Sequence, residues 1–347
     1  MRILFFISKL YGGGAERVAT ILLSHFCEKH DTYVAINNFD APFYPLDSRT
    51  HIIDNRLNGI WGKIVPQFLK NAFTIKKVNP DIIISFLVSR NNRALLANLL
   101  CRKKIIVSER IALSHETSYK QKILRYLLYP TADKIVFVTT EDCIKFGLPH
   151  KSLTIYNPNM LTPIHNYGNR QKTIITVGPT KRWYQKGFDL LINAWAKISM
   201  QFPDWNLEIL GRYNAYELPE HITPPKSVSW LGWSANIADI LQTKSIFVLA
   251  SRFEGCPNSL IEAMSQGCAC IVSDCDGGMK EMITNGVDGL IAKNENVDDI
   301  AEKLQMLIDD EKLRCKLSAG AIEKAKLFDK NTFFAQWDNL LEEVAGK

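Results

Sequence analysis

The sequence lacks a cysteine pair at the C-x-x-C spacing that holds zinc or supports a redox cycle. Its eight cysteines are scattered, which favours reduced thiols over a disulfide framework.

Long hydrophobic runs are also missing. The longest uncharged apolar run, Ile82–Val88, is far shorter than the roughly 20 residues that span a bilayer. The apolar start, Ile3–Ile7, is too short for a signal-peptide core and predicts a buried strand. We therefore expect a cytoplasmic protein that does not cross a membrane.

Negative charge is scarce in the first half of the chain. Residues 1–160 contain 22 Lys and Arg against 12 Asp and Glu, whereas the rest contains 20 against 24. This asymmetry predicts an anionic partner for the first half: lipid headgroups, nucleic acid or a phosphorylated substrate. The alternative is a basic surface that only keeps the protein soluble. We discount nucleic acid because no recognised module or aromatic platform accompanies the basic residues.

The length of the chain predicts two domains, because 347 residues with 46% apolar content exceed what one core supports. Short apolar runs alternate with helix-like segments in both halves, which predicts parallel sheets covered on both faces. The predicted strands are Ile3–Ile7, Tyr33–Ile36, Ile82–Leu87, Ile105–Val107, Ile135–Val138, Thr173–Val177, Leu207–Leu210, Val228–Leu231, Ile246–Ala250 and Ala269–Val272. The expected fold class is therefore α/β, with two doubly wound, Rossmann-like domains.

The domain limits follow from a pause in this alternation at residues 157–172, which are polar and contain proline and glycine. We expect one domain over residues 1–165 and another over 166–330. The apolar spacing in 331–347 predicts a helix that packs back and completes the first domain. Ligands of such sheets bind beyond the carboxyl ends of the strands, so two facing domains would form a central cleft.

The segment after the first predicted strand is rich in glycine. Gly12, Gly13 and Gly14 precede a predicted helix, so backbone N–H groups at its start can approach an anion closely. A dinucleotide-binding fingerprint requires glycine where Arg17 stands, which disfavours a dehydrogenase. We expect Gly13 and Gly14 to approach a diphosphate or a sugar. A tight turn without a ligand is the alternative.

The segment after the first strand of the second domain contains three cations. Lys181, Arg182 and Lys186 follow Gly178 at the end of this strand. Cations at such a position can neutralise charge on a departing diphosphate. Three solvated loop charges are the alternative.

The segment Phe253–Met264 begins a predicted helix directly after an apolar strand. Gly255 allows an unusual turn, and Pro257 suits the first position of a helix. The N–H groups of Asn258 and Ser259 would then be free to bind an anion, which the helix dipole also favours. A diphosphate fits such a site.

Two glutamates frame the same helix start. Glu254 can accept hydrogen bonds from sugar hydroxyls, and Glu262, further into the helix, can hold a ribose diol. Taken alone, this spacing is weak, and two surface glutamates are the alternative.

The motifs around these residues occur in an order that resembles a known family. The segments 177–187, 253–278 and 281–292 resemble the donor-binding half of family 4 glycosyltransferases, and Gly12–Arg17 resembles the acceptor-side loop of that family. The resemblance covers essentially the whole chain. It implies the GT-B architecture, a nucleoside-diphosphate sugar as donor, retention of anomeric configuration, no metal and no cofactor. Relatives with this block extend glycans on polyprenyl-diphosphate lipids, as in O-antigen, lipopolysaccharide or capsule synthesis.

The resemblance also assigns roles to particular residues. Glu254 matches the glutamate that contacts the donor sugar, Glu262 the one that binds the ribose, and Lys186 the lysine that contacts phosphate. Glu16 and Arg17 become candidates on the acceptor side. The implied activity is transfer of a hexose or N-acetylhexosamine, with UDP-sugar as the expected donor.

Two positions depart from the family pattern. Pro179 stands where relatives usually have arginine. Either Arg182 substitutes for that arginine or the diphosphate is held differently. Relatives have histidine after the glutamate that corresponds to Glu109, whereas this chain has Arg110, which cannot act as a base at neutral pH. Arg110 could bind a donor hydroxyl or an acceptor phosphate, and His115 is a further acceptor-side candidate. These departures leave a non-catalytic nucleotide-sugar-binding or assembly protein as the alternative function.

The basic residues of the first half predict peripheral attachment to the cytoplasmic membrane face. Residues 61–125 contain 13 Lys and Arg against three Asp and Glu. The predicted helix in this stretch combines cationic and apolar residues that can rest on anionic lipid; they are Lys63, Lys70, Lys77, Ile64, Phe68 and Ile75. A crossover helix that packs on the sheet, with solvated lysines, is the alternative.

Overall fold

A computed structural model describes residues 1–10, 12–37, 43–57, 65–115, 118–164, 170–220 and 222–346. The chain divides into two compact units, Met1–Asn157 with Asn331–Lys347 and Pro158–Lys330. The predicted boundary between residues 165 and 166 lies outside the described residues, and the division follows Asn157. The segment 331–347 is part of the first unit.

The first unit contains a parallel sheet of seven strands in the described part of the chain, in the order β3-β2-β1-β4-β5-β6-β7. The strands are β1 Arg2–Ile7, β2 Asp31–Ile36, β3 His51–Asp54, β4 Ile82–Phe86, β5 Lys104–Ser108, β6 Lys134–Phe137 and β7 Ser152–Thr154. Its helices are α1 Gly14–Phe26, α2 Gln67–Val78, α3 Val88–Cys101, α4 Tyr119–Leu128 and α5 Thr140–Phe146. The central strands are buried and apolar because helices cover both faces.

The second unit repeats this design with six described strands in the order β10-β9-β8-β11-β12-β13. The strands are β8 Gln171–Val177, β9 Asn206–Leu210, β10 Val228–Gly232, β11 Lys244–Leu249, β12 Ala269–Ser273 and β13 Leu290–Ala292. The helices that follow are α6 Trp183–Lys186, α7 Phe188–Ile198, α8 Ile237–Leu241, α9 Asn258–Ser265, α10 Met279–Met282, α11 Val297–Asp309, α12 Glu311–Ala325 and, from the end of this unit, α13 Lys330–Ala345.

Helix α13 packs in the core of the first unit. Phe333, Trp337 and Leu341 are buried in one cluster with residues of β1 and β4. The indole ring of Trp337 lies 6.5 Å from the ring of Phe86, measured between centroids. The end of the chain therefore supplies part of the hydrophobic core on one face of the first sheet.

The predicted basic helix corresponds in part to α2. Lys63 and Ile64 lie outside the described residues. Ile75 is buried against the first sheet, together with Ala72 and Val78, so this helix does pack as a crossover helix. None of the helices in the described ranges is long and apolar enough to cross a membrane.

Candidate functional site

Lys186 and Glu254 meet at the carboxyl edge of the second sheet. Lys186 ends α6, in the segment after β8, and Glu254 follows the neighbouring strand β11. Lys186 Nζ donates to Glu254 Oε1 at 2.7 Å, and the two side chains are only 12% and 9% exposed. Ser251 Oγ donates to the same carboxylate oxygen at 3.0 Å. Two residues predicted to bind a donor are therefore an ion pair shielded from water.

Helix α9 begins beside this pair. Its N-cap is Pro257, with φ −73° and ψ 115°. The helix therefore begins at Asn258, one residue later than predicted. Gly255 does not take a positive φ. The side-chain oxygens Asn258 Oδ1 and Ser259 Oγ are buried, and neither has a hydrogen-bond partner among the described residues. Unsatisfied buried polar atoms are rare in proteins and call for a ligand or water.

Glu262 lies on the second turn of α9 and is 4% exposed. A surface position, the alternative for this residue, is therefore wrong. Its backbone carbonyl accepts a hydrogen bond from Ser265 Oγ at 2.8 Å, which stabilises the last turn of this short helix. The assignment of Glu262 to a ribose stays a prediction.

In the loop between β8 and α6, Gly178 lies against the side chain of Lys186. A Cβ atom on Gly178 would lie 3.0 Å from Lys186 Cγ and 3.2 Å from the ring of Phe188, so the absent side chain leaves room for the lysine stem. Arg182, in contrast, is exposed, and no ion pair joins it to the described residues. Its predicted replacement of the arginine missing at Pro179 stays a prediction.

Arg252 holds the two loops of this site together, a role that the sequence did not indicate. Its guanidinium donates to both carboxylate oxygens of Asp189, at 2.9 and 2.6 Å. It also donates to Glu295 at 2.9 Å and to the carbonyl of Tyr184 at 2.7 Å. The hydrogen bonds to Asp189 raise the pKa of Arg252 above its usual value. Because Tyr184 precedes Lys186 and Arg252 precedes Glu254, this clamp fixes the distance between the ion-pair partners.

In the first unit, the predicted glycine-rich segment begins α1. Gly13 is the N-cap, and Gly14 is the first helical residue. A Cβ atom on Gly13 would lie 2.2 Å from Glu16 Oε2, so a side chain at position 13 would displace the Glu16 carboxylate. Glu16 is the third helical residue, where a glutamate stabilises a helix N-terminus. Close approach of Gly13 and Gly14 to a donor stays a prediction, as does an acceptor-side role for Arg17.

Glu109 is buried directly after β5. It accepts a hydrogen bond from the hydroxyl of Tyr129, which also accepts from Asn91 Nδ2 at 2.8 Å. Burial first, and then the charge of Glu109, raise the pKa of Tyr129 well above its usual value. Neutral Tyr129 therefore acts as a donor that fixes the Glu109 carboxylate.

Arg110, predicted from the sequence to bind a donor hydroxyl or an acceptor phosphate, is buried in the first unit. Its guanidinium lies 5.0 Å from the ring of Phe86 and 5.9 Å from that of Trp337, and it donates to Asn157 Oδ1 at 3.1 Å. These contacts join the chain after β5 to α13. The predicted binding of a donor hydroxyl or an acceptor phosphate by Arg110 stays a prediction. His115 ends a single 3₁₀ turn, Leu113–His115, and is partly exposed.

The described residues contain no group of three or more His, Cys, Asp and Glu that could hold a metal ion. The carboxyl edge of the second sheet carries the charges of Lys186 and Glu254 and the positive end of the α9 dipole. A ligand with two phosphates and several hydroxyls matches these donors and acceptors.

Comparison with known proteins identifies the class. The fold matches HepE of Anabaena in complex with UDP-glucose, with a TM-score of 0.82 over 99% of this chain and 100% of that chain at 18% identity. The two parallel doubly wound sheets are thus a GT-B fold. Residues 162–324 match the family described as "Glycosyl transferases group 1". The chain carries a domain of this family, and the resemblance seen in the sequence is confirmed.

Two relatives from Campylobacter jejuni match nearly the whole chain. One is an N-acetylgalactosamine-N,N'-diacetylbacillosaminyl-diphospho-undecaprenol 4-alpha-N-acetylgalactosaminyltransferase, 28% identical over 94% of this chain and 95% of its own. The other transfers α-1,4-linked N-acetyl-D-galactosamine to a GalNAc-GalNAc-diNAcBac-PP-undecaprenol and is 25% identical over 99% of both chains.

Proposed function

We propose that this glycosyltransferase moves a hexose or N-acetylhexosamine from a UDP-sugar to a glycan carried on a polyprenyl diphosphate. The donor assignment rests on two buried oxygens at the start of α9, Asn258 Oδ1 and Ser259 Oγ, which have no hydrogen-bond partner in the described part of the chain. The donor's hydroxyl and phosphate groups can supply these partners. The relatives named above support the acceptor class, because their names include diphospho-undecaprenol.

The donor diphosphate binds between α9 and Lys186 in this proposal. The free N–H groups at the start of α9 point at an anion, and the helix dipole adds favourable potential. Lys186 has three N–H donors, of which one is directed at Glu254. The remaining donors are available for phosphate, while Glu254 keeps the ammonium group in place. Glu254 then also accepts from the sugar hydroxyls, and Glu262 accepts from the ribose.

The reaction proceeds with retention and without a metal ion in this proposal. The acceptor hydroxyl attacks from the face that the diphosphate leaves, and the leaving phosphate takes its proton. The protein contributes positioning and stabilisation of the developing negative charge, which Lys186 and the α9 amides provide. No enzymic nucleophile is required.

Calorimetric titration with UDP tests the donor site. We expect Glu262→Ala to weaken UDP binding by at least tenfold, about 1.4 kcal/mol, with the melting temperature of the free protein nearly unchanged. Glu302→Ala is the control, since it removes an exposed glutamate from α11 of the same unit. Unchanged UDP affinity in Glu262→Ala would refute the assignment. A wild-type chain that binds UDP-sugars but transfers no sugar would support the non-catalytic alternative.

The first unit attaches to the anionic cytoplasmic membrane surface in this proposal. Helices α2, α3 and α4 pack side by side and expose apolar side chains to solvent, which we call the exposed apolar face: Leu69, Phe73, Leu99, Leu100, Tyr119, Ile123, Tyr126 and Leu127. On α4 these residues recur at helical spacing, so one side of the helix is apolar. Exposed lysines on the same helices, Lys76, Lys77 and Lys120, suit anionic lipid.

Sedimentation with phosphatidylglycerol vesicles tests this attachment. We expect the wild-type chain to pellet at low salt and to be released as salt rises, because exposed charges are screened. The double variant Tyr126→Ser/Leu127→Ser should stay in the supernatant. Met200→Ser, which alters an exposed apolar residue of the second unit, should pellet like wild type. Equal sedimentation of all three chains would count against the exposed apolar face.

A further inference from the structure

The carboxyl ends of β1 and β4 are neighbours at the point where the strand order of the first sheet reverses. From β1 the chain proceeds to β2 on one side, whereas β4 lies on the other side. Such a topological switch point opens a crevice in which ligands of doubly wound sheets bind. Helix α1 follows β1 and helix α3 follows β4, so both helices begin at this edge.

Two arginines of α3 stand at this crevice. Arg90 is in the first turn of α3, and its Nε donates to Ser8 Oγ, directly after β1, at 2.6 Å. Arg93 follows one turn later on the same side of the helix. No described carboxylate forms an ion pair with either residue. By contrast, Arg252 in the second unit is paired with two carboxylates.

The two arginines place positive charge at the start of α3. The first turn of α3 contains no acidic residue, although acidic residues are the favoured ones at the positive end of a helix. Burial first, and then the charge of Arg93, lower the pKa of Arg90 to about 10. A partly buried cation without a counter-ion is unfavourable, and an anionic ligand would offset its charge.

We propose that Arg90 and Arg93 form an anion site at the switch point of the first unit, which binds the phosphate groups of the lipid-linked acceptor. This inference rests on the proposed function, since it takes the acceptor to be a diphosphate. The donor diphosphate is assigned to α9 in the other unit, so the two anions have separate sites. The guanidinium group suits this task because its planar donors match phosphate oxygens in pairs.

Titration of the full-length chain with inorganic pyrophosphate, in the presence of saturating UDP, tests the site. UDP occupies the donor site, so the added anion reports on the second one. We expect Arg90→Gln and Arg93→Gln each to weaken pyrophosphate binding about tenfold, as expected for loss of a charge-assisted contact. The matched control is Arg102→Gln, which removes an exposed arginine from the opposite end of α3 and should bind pyrophosphate like wild type.

Thermal melting distinguishes this role from a structural one. Without a ligand, Arg93→Gln should melt no lower than wild type, because the repulsion between the two arginines is removed. It should also lose the rise in melting temperature that pyrophosphate gives the wild-type chain. A lower melting temperature without ligand, together with unchanged pyrophosphate affinity, would overturn the proposal.

Membrane headgroups are the other source of phosphate, and vesicle sedimentation separates the two. If Arg90→Gln/Arg93→Gln pellets with phosphatidylglycerol like wild type but no longer binds pyrophosphate, the acceptor site is supported. If it fails to pellet while pyrophosphate binding persists, the arginines bind headgroups and the proposal is overturned. A different measurement shows whether the proposed function itself is wrong. In that case Glu262→Ala binds UDP as tightly as wild type.

Discussion

Lys186 and Glu254 illustrate how one contact can serve stability and ligand binding together. The pair is shielded from water, so its attraction is strong, but each partner alone would be a costly buried charge. Because Ser251 also donates to Glu254, two donors hold this carboxylate in position. The same pair therefore holds the loops in place without a ligand and can present both side chains to one.

A double-mutant cycle tests this dual role. We expect Lys186→Met to destabilise the second unit by about 3–5 kcal/mol, because it leaves the Glu254 carboxylate buried and unpaired. Adding Glu254→Gln should restore most of the stability but not UDP binding, which requires the ammonium group. Glu254→Gln alone should retain UDP affinity. Denaturant unfolding and calorimetry supply the two readouts, and recovery of UDP affinity in the double variant would contradict the phosphate role of Lys186.

Arg252 acts on the site through Lys186 and is a positioning residue. We expect Arg252→Lys to keep the positive charge but to weaken UDP binding, because an ammonium group cannot donate to Asp189, Glu295 and the Tyr184 carbonyl in a planar fork. Arg314→Lys is the control. Arg314 donates to the Leu307 carbonyl in the same unit, away from the site. If both variants lose stability equally and neither loses UDP affinity, Arg252 has only a structural role.

At the scale of elements, the turn between α6 and α7 shows why the loops approach so closely. Gly187 has φ +61°, and a Cβ atom there would lie 1.9 Å from the carbonyl oxygen of Ala250, at the end of β11. The glycine lets the segment with Lys186 lie against the segment with Glu254. The backbone of Arg252 completes this contact by donating to the Gln185 carbonyl at 2.9 Å.

Replacement of Gly187 by alanine should be far more harmful than an ordinary glycine replacement. Gly147 is the control: its φ is +80°, but a Cβ atom there would meet nothing within 4 Å. We expect Gly147→Ala to cost about 1–2 kcal/mol from backbone strain alone. Gly187→Ala adds a backbone clash and should cost more and abolish UDP binding. Equal losses of unfolding free energy in the two variants would show that the loops can separate without consequence.

At the scale of the whole molecule, the first unit depends on a helix from the far end of the chain. Trp337 of α13 is fully buried against Phe86 and below the guanidinium of Arg110. We expect Trp337→Ala to destabilise the first unit by about 3–5 kcal/mol. Hydrogen exchange, measured strand by strand, should show faster exchange in β1 and β4 but not in β8 and β11.

The control for this variant is Phe73→Ala, which truncates a ring that is 62% exposed on the same unit. Its exchange in β1 and β4 should match wild type. If hydrogen exchange in Trp337→Ala is faster in both units, the result would contradict the inference that the two units have separate cores.

Much of the fold could be predicted because its signals are local. The buried central strands of a parallel sheet are continuous apolar runs, and each run predicted from the sequence overlaps a strand. The runs that end at Leu87, Val138 and Ala250 extend one residue past it. The strands β3, β7 and β13 were missed. They are short, and β3 is mostly exposed, so their residues do not form the apolar runs that mark a central strand.

The sequence by itself determined the two doubly wound sheets and the grouping of Glu254, Asn258, Ser259 and Glu262 around one helix start, because strand and helix periods and short spacings are local properties. The tertiary structure decided which distant residues meet. Lys186 and Glu254 are 68 residues apart, Arg252 and Asp189 are 63 apart, and Ser8 and Arg90 are 82 apart. The two residues of each pair lie in segments that follow neighbouring strands of one sheet. The order of the strands is set by the packing of the whole unit.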